Sequence, residues 1–297
     1  MSLAVVVTDR DCTLLCQRIA EELPGILIQQ WPNINQPNLV EFAVLWKQPQ
    51  GITNQFPNLK AVTSLGAGTD HMDNDVALVN VPQHRIVVEG LKQLMAQYVL
   101  LHVLSESRQQ LPYYLNQHIK RWQVMEEENP SPVIGFLGLG ELGKFVANRC
   151  IELGFQTQAW TVQSEHSKHK CFHGKAGLQH VISNSDFIVV LLPLTEQTHH
   201  IINDNSLTWF KSDAVLINVA RGGHVDESAL IEALKNKQLK HAVLDVFETE
   251  PLPQDSELWS LENVTITPHV SARSDVNQTT EAVVSLFNSY ILSDSKA

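Results

Sequence analysis

The sequence predicts an α/β protein built from two doubly wound parallel sheets, and three observations predict it. Short apolar runs alternate with amphipathic or polar segments almost from end to end, the rhythm of strand–helix–strand units. The runs fall into two series, parted by a long helical stretch near residues 91–111 and by the polar segment Glu126-Glu127-Glu128-Asn129-Pro130-Ser131-Pro132. A length of 297 residues gives each series enough chain for a core of its own.

The first series reads as buried strands at 4–7, 42–45, 61–64 and 86–88. The second resumes at 133–137, 156–160, 187–191, 214–218, 242–244 and 264–267. Continuous apolar runs of this length suit strands of a parallel sheet covered on both faces. A last helical stretch, about 274–292, follows the final strand, and its periodicity alone lets it cap either sheet. No internal repeat of short period is visible.

Apolar residues make up 43% of the chain and charged residues 18%, the proportions of an ordinary globular protein. The net charge of −11, with no basic stripe, argues against a nucleic-acid partner. An anionic substrate has to be captured by local positive charge instead. Cys12, Cys16, Cys150 and Cys171 form neither a C-x-x-C pair nor a zinc-spaced set, so reduced thiols and no metal are expected. The opening apolar run stops at Asp9-Arg10-Asp11, too short for a signal peptide, and nothing approaches the ~18 apolar residues of a membrane span. A cytoplasmic protein away from membranes is the expectation.

The strongest motif is Val133-Ile134-Gly135-Phe136-Leu137-Gly138-Leu139-Gly140-Glu141-Leu142-Gly143-Lys144. A lone G-x-G-x-x-G is weak evidence, a plain turn being the alternative. Here it sits on an apolar strand and leads into an amphipathic helix, with a second strand, 156–160, at the proper distance. Gly138 permits a tight turn, Gly140 lets backbone approach a pyrophosphate, and Gly143 lets helix and strand pack closely. The first helical residues, Glu141, Leu142 and Gly143, then present free N–H groups and the positive dipole end to phosphates.

About twenty residues on, an acid should read the adenosine ribose of NAD. The chain instead reads Trp160-Thr161-Val162-Gln163-Ser164, with His166, Lys168 and Lys170 close behind. Without a carboxylate to repel a 2′-phosphate, and with Thr161, Gln163 and Ser164 as donors, NADP is favoured over NAD as the cofactor.

Three further segments end strands of the second series: Asn218-Val219-Ala220-Arg221-Gly222-Gly223, Asp245-Val246-Phe247-Glu248-Thr249-Glu250-Pro251-Leu252, and Thr267-Pro268-His269-Val270. Singly, an Arg is usually solvated, a Glu a surface residue and a His structural. Together, at the carboxyl edge of a nucleotide-binding sheet, they suit reduction of a keto acid.

With these segments, Leu65-Gly66-Ala67-Gly68-Thr69-Asp70 and Leu191-Leu192-Pro193-Leu194-Thr195, the chain resembles the D-isomer-specific 2-hydroxyacid dehydrogenases over nearly its whole length. Within that family it is most similar to the glyoxylate/hydroxypyruvate reductases. The resemblance implies an active site in the cleft between a discontinuous substrate domain, 1–96 plus 274–297, and a cofactor domain, 97–273. It implies that Arg221 binds the substrate carboxylate and polarises the keto oxygen. His269 is then the acid in reduction and the base in oxidation, and Glu250 holds its imidazole. Gly66, Ala67 and Gly68 cradle the carboxylate. Asp245 meets the nicotinamide carboxamide, and Pro193 and Ala220 join the cofactor site. A homodimer is also implied.

Some positions depart from the family. Met95-Ala96-Gln97-Tyr98 stands where a Val-Ala-Glu start to the interdomain helix is expected, and Ser271-Ala272-Arg273 replaces small apolar residues or threonine. Trp46, ending a first-series strand, either walls the substrate pocket or packs. Two rival readings remain. One is a phosphoglycerate or D-lactate dehydrogenase of the same fold, weakened by the missing ribose acid and by the absence of a regulatory domain. The other is a nucleotide-sensing corepressor, which lacks a supporting basic tail.

Overall fold

The computed structural model describes residues 1–73, 75–125, 129–162 and 169–292. The chain divides into two compact units, Met1–Leu91 with Ser274–Ala297, and Lys92–Arg273. The first holds strands β1 (Ser2–Val7), β2 (Leu27–Gln30), β3 (Val40–Trp46), β4 (Ala61–Ser64) and β5 (Gln83–Arg85), with helix α1 (Thr13–Glu22). Its sheet runs β2-β1-β3-β4-β5, every pair parallel.

Strand β1 is buried along its whole length because both sheet faces are covered. Leu3 and Val5 face one way, with Ile19 of α1, and Ala4 and Val6 face the other, with Met72 and Leu78. That two-sided burial produces the unbroken apolar runs seen in the sequence. The exceptions lie at the rim. Strand β2 was not expected, and β5 occupies Gln83–Arg85 where a strand at 86–88 was expected. Both are short edge strands, paired on one side only and largely unburied, so burial leaves little signature in them. Ile86 is instead buried just past β5, against the α1 face.

The second unit begins within helix α2 (Glu89–Ser107), followed by α3 (Gln110–His118). The seam at Leu91 falls five residues before the expected 96, for a physical reason. The first turn of α2 belongs to the first unit, where the Gly90 N–H donates to the Gln278 side chain at 2.9 Å. Met95 and Ala96 already pack into the second unit's core beside Phe136 and Val146.

The elements that follow are β6 (Val133–Leu137), α4 (Glu141–Glu152), β7 (Gln156–Trp160), β8 (Cys171–Phe172), α5 (Gly174–Ser183), β9 (Phe187–Val190), α6 (Asp204–Leu207), β10 (Val215–Asn218), α7 (Glu227–Lys235), β11 (His241–Leu244) and β12 (Val264–Ile266). They form a seven-stranded parallel sheet ordered β12-β11-β10-β9-β6-β7-β8. The order reverses between β6 and β9, the topological switch point at which doubly wound sheets open a crevice. Helix α8 (Val276–Phe287) returns to the first unit. Its Val283 and Phe287 are fully buried there, and the Phe287 ring meets Phe42 edge-on at 5.8 Å.

Among the described residues, no helix is long and apolar enough to cross a membrane, and no cluster of His, Cys, Asp and Glu is arranged to hold a metal ion.

Candidate active site

The crevice at the switch point is shaped by three glycines doing different jobs. Gly138 turns the chain off β6 at φ +101°, and a Cβ there would lie 2.5 Å from the Leu191 carbonyl oxygen at the end of β9. Gly143 lets α4 approach, since its Cβ would stand 2.4 Å from the Gly138 oxygen. Gly140 is exposed, at the N-cap of the twelve-residue α4, and a Cβ on it would enter open space. A dinucleotide fits this arrangement: the space a side chain would fill is left clear where helix N–H groups point. Gly138, Gly140, Glu141, Leu142 and Gly143 would hold its pyrophosphate.

Thr161, just past β7, is buried. Its N–H donates to the Phe172 oxygen at 3.1 Å, and its hydroxyl lies 3.0 Å from His173 Nδ1. The expected donors Gln163 and Ser164, with His166 and Lys168, lie outside the described residues. Pro193 is exposed at the mouth of β9, its carbonyl accepting from Thr198 Oγ1 at 2.6 Å. Ala220 is buried, and its carbonyl accepts from Arg221 Nη1 at 2.8 Å.

Three loops at the ends of β10, β11 and β12 carry Arg221, Glu250 and His269. They are packed backbone to backbone: a Cβ on Gly222 would fall 1.8 Å from the Phe247 carbonyl carbon, so no larger residue fits beside Arg221. His269 Nδ1 lies 2.9 Å from Glu250 Oε2 and 3.1 Å from Oε1. A carboxylate only accepts, so Nδ1 carries the proton and Nε2 is left as the atom that gains or gives one.

His269 itself adopts a left-handed backbone, φ 53°, a conformation that persists in a non-glycine residue only when its surroundings enforce it. Asp245 supplies the enforcement. Fully buried at the end of β11, its Oδ1 accepts from the Thr267 hydroxyl at 2.5 Å and the Val270 N–H at 2.8 Å, and its Oδ2 from the Ser271 N–H at 2.8 Å. Its carbonyl takes the His269 N–H at 2.8 Å. Three of roughly four acceptor positions of a carboxylate are thus spent on the loop that bears His269.

Behind Asp245 stands Tyr98 of α2, a residue whose part sequence reasoning missed. Its hydroxyl meets Thr267 Oγ1 at 2.6 Å. The Thr267 proton goes to Asp245, so Tyr98 donates, and burial pushes the phenol up to about 12, keeping it a neutral donor. The only sequence signal was the departure at Met95-Ala96-Gln97-Tyr98.

In the first unit, the Gly66-Ala67-Gly68 turn is tied to β4, with Ser64 Oγ donating to the Gly68 oxygen at 2.6 Å and accepting from the Gly66 N–H at 3.3 Å. Trp46 packs behind that turn: a Cβ on Gly66 would meet its ring at 3.0 Å. Its indole N–H donates to Asp9 at 3.1 Å.

A family model, that of the D-isomer specific 2-hydroxyacid dehydrogenase NAD binding domain, matches residues 100–271. The chain belongs to the D-isomer-specific 2-hydroxyacid dehydrogenases. It is 35% identical over 263 residues to glyoxylate/hydroxypyruvate reductase A of Yersinia enterocolitica, covering 86% of this chain and 83% of that protein. A D-isomer specific 2-hydroxyacid dehydrogenase of Xanthobacter autotrophicus, solved with NADPH and MES, superposes with a TM-score of 0.89 at 33% identity, covering 96% of this chain and 92% of that one. The NADPH-dependent glyoxylate/hydroxypyruvate reductase of Sinorhizobium meliloti, solved with NADP and sulfate, gives 0.87 at 30% identity, covering 97% and 96%.

Proposed function

We propose that this 2-hydroxyacid dehydrogenase reduces a small 2-oxo acid of the glyoxylate or hydroxypyruvate type to its 2-hydroxy acid with NADPH. The observation that carries the reading is the His269–Glu250 contact through both carboxylate oxygens. The guanidinium of Arg221 takes the substrate carboxylate and polarises the keto oxygen, using parallel donors that an ammonium lacks. His269, aimed by Glu250, gives a proton from Nε2 to that oxygen as the carbonyl is reduced, and takes it back in the reverse direction. The nicotinamide, when bound, supplies the hydride. Asp245 has one acceptor position left for the carboxamide, and the N–H groups around Gly66-Ala67-Gly68 are the first unit's own candidates for binding a carboxylate.

NADPH is favoured because Thr161 replaces the ribose acid, and two structurally similar proteins were solved with NADP or NADPH. We place the protein in the cytoplasm, where its four free cysteines stay reduced; burial pushes the Cys16 and Cys150 thiols up to about 12, far from thiolate reactivity. A homodimer is supported by an apolar strip on α3 and just beyond. Leu111, Tyr114, Leu115 and Ile119 are exposed there, and Trp122 fully so, more than a lone surface should carry.

A panel of 2-oxo acids assayed by absorbance with NADPH and NADH tests the reading. Turnover of glyoxylate or hydroxypyruvate with the higher kcat/KM for NADPH is expected; no turnover of any 2-oxo acid overturns it. Arg221→Lys should raise keto-acid KM and lower kcat, a loss on the order of 2–5 kcal/mol for a buried pair. NADPH affinity should barely move. Light scattering should give twice the monomer mass.

A further inference from the structure

His224 lies three residues past Arg221, in the short turn Gly222–His224, and is fully buried. Its ring spans two turns at the carboxyl edge of the second sheet. Nδ1 stands 3.0 Å from the Arg221 carbonyl oxygen, and Nε2 stands 3.3 Å from the Pro193 carbonyl oxygen. A carbonyl only accepts, so both ring nitrogens face groups to which they have to donate, and a neutral imidazole has one N–H to give. The shorter contact, to Arg221, takes it.

The same two carbonyls are braced from other directions. Asn218 Nδ2 donates to the Arg221 oxygen at 2.9 Å, and Thr198 Oγ1 to the Pro193 oxygen at 2.6 Å. The residues between are anchored too, with the His200 N–H on the Gly223 oxygen at 2.8 Å and the Ile202 N–H on the His224 oxygen at 3.0 Å. Gly222 rests directly on Phe247. Among these braces, His224 is the side chain that reaches from the turn after β10 to the turn after β9.

We propose that His224 is a positioning residue for Arg221. By donating its Nδ1–H to the Arg221 carbonyl while the ring lies against the Pro193 turn, it fixes the peptide plane from which the arginine side chain departs. The lever is long: a small rotation at the arginine's backbone displaces the guanidinium by a distance that a two-pronged carboxylate contact does not tolerate. The inference rests on the reading of Arg221 as the carboxylate-binding group.

The test compares His224→Phe, which keeps the ring's bulk and removes the Nδ1–H donor, with His224→Asn, whose amide N–H falls near Nδ1, and His224→Gln, whose amide falls near Nε2. KM and kcat for glyoxylate at saturating NADPH, the affinity of the NADPH complex for oxalate, and the affinity for NADPH alone are the readouts. His224→Phe should raise glyoxylate KM and weaken oxalate about tenfold, the order expected for a misaimed carboxylate contact. Its NADPH affinity should stay within about twofold, and His224→Asn should restore most of the loss.

Unchanged KM and oxalate affinity in a folded His224→Phe protein overturns the proposal. So does an equal loss of NADPH affinity, which would mean that His224 supports the whole sheet edge. If His224→Phe does not fold, the amide pair decides: Asn nearer wild type than Gln supports it, and the reverse order overturns it. Arg221→Lys run in parallel separates the two readings. If Arg221→Lys leaves keto-acid KM unchanged, the assignment of Arg221 fails; if Arg221→Lys raises it while His224→Phe does not, only the positioning role fails. In the double variant the His224 effect should disappear, because nothing remains to aim.

Discussion

The two units use one architecture to opposite ends. Each is a parallel sheet whose strand order reverses once, between β1 and β3 in the first and between β6 and β9 in the second. In the first unit that gap is bridged by the chain's own side chains. The Trp46 indole N–H donates to Asp9 at 3.1 Å, Arg10 pairs with the same carboxylate at 2.9 Å, and Thr8 Oγ1 donates to the Lys47 oxygen at 2.7 Å. In the second, Gly138 and Gly140 stand at the corresponding place, and the space in front of Gly140 is clear. Topology provides a crevice in both sheets; only glycine at its floor leaves it available to a nucleotide.

The largest effect that can sharpen this contrast comes from the chemistry added to the open crevice. His269→Gln, with the ring at a partly exposed loop, should leave the fold intact and NADPH affinity nearly unchanged while lowering kcat by about 10²–10⁴-fold. Pre-steady-state and steady-state rates with glyoxylate read it, and near-normal turnover removes His269 from the acid–base role.

Closing the second crevice should make it behave like the first. Gly140→Val adds a side chain into open space at φ −69°, where a β-branched residue is not strained. Its melting temperature should stay within a few degrees of wild type, while NADPH affinity by fluorescence titration falls about a hundredfold, since the pyrophosphate needs close backbone approach. Unaltered NADPH affinity would show that the dinucleotide lies elsewhere.

A smaller effect is expected behind the site. Asp245→Asn keeps the shape but offers one acceptor oxygen to partners that now use two. The left-handed backbone of His269 should loosen, lowering kcat about tenfold and stability by about 1–3 kcal/mol. If kcat holds while stability falls, Asp245 supports the fold and does not aim His269.

The smallest effect separates the units by pH. In the second, burial lowers the His102 and His241 pKa values, so each holds a proton less readily folded than unfolded. An unfolded His takes a proton first as pH falls, so their contribution is whole above about pH 6.5 and is lost below it. In the first unit, burial opposes ionisation of Asp9, but Arg10 and the Trp46 indole outweigh it and hold the carboxyl below its usual 3.8. Its contribution is present above about pH 4 and lost as pH falls through the lowered value. Hydrogen exchange across this range should show α2 amides opening at a higher pH than those of β1. Simultaneous opening breaks the distinction.

The sequence by itself determined the central strands of both sheets, the glycine turn and the three loops that carry Arg221, Glu250 and His269. These are local properties. A strand covered on both faces has to be apolar along its length, and a turn at φ +101° against a carbonyl has to be Gly138. Only the tertiary structure decided the short strands β2, β5 and β8 at the sheet edges, because an edge pairs through its backbone and asks little of its side chains. It also decided that α8 belongs to the first unit, since an amphipathic face does not name the sheet it covers. The polar partnerships are tertiary for the same reason. Tyr98 meets Thr267 across 169 positions, Asp245 holds a loop about 25 residues away, and His224 reaches back 31 to Pro193. A buried donor has to find an acceptor, but which acceptor lies within reach is set by the order of strands in the sheet, and no local pattern records it.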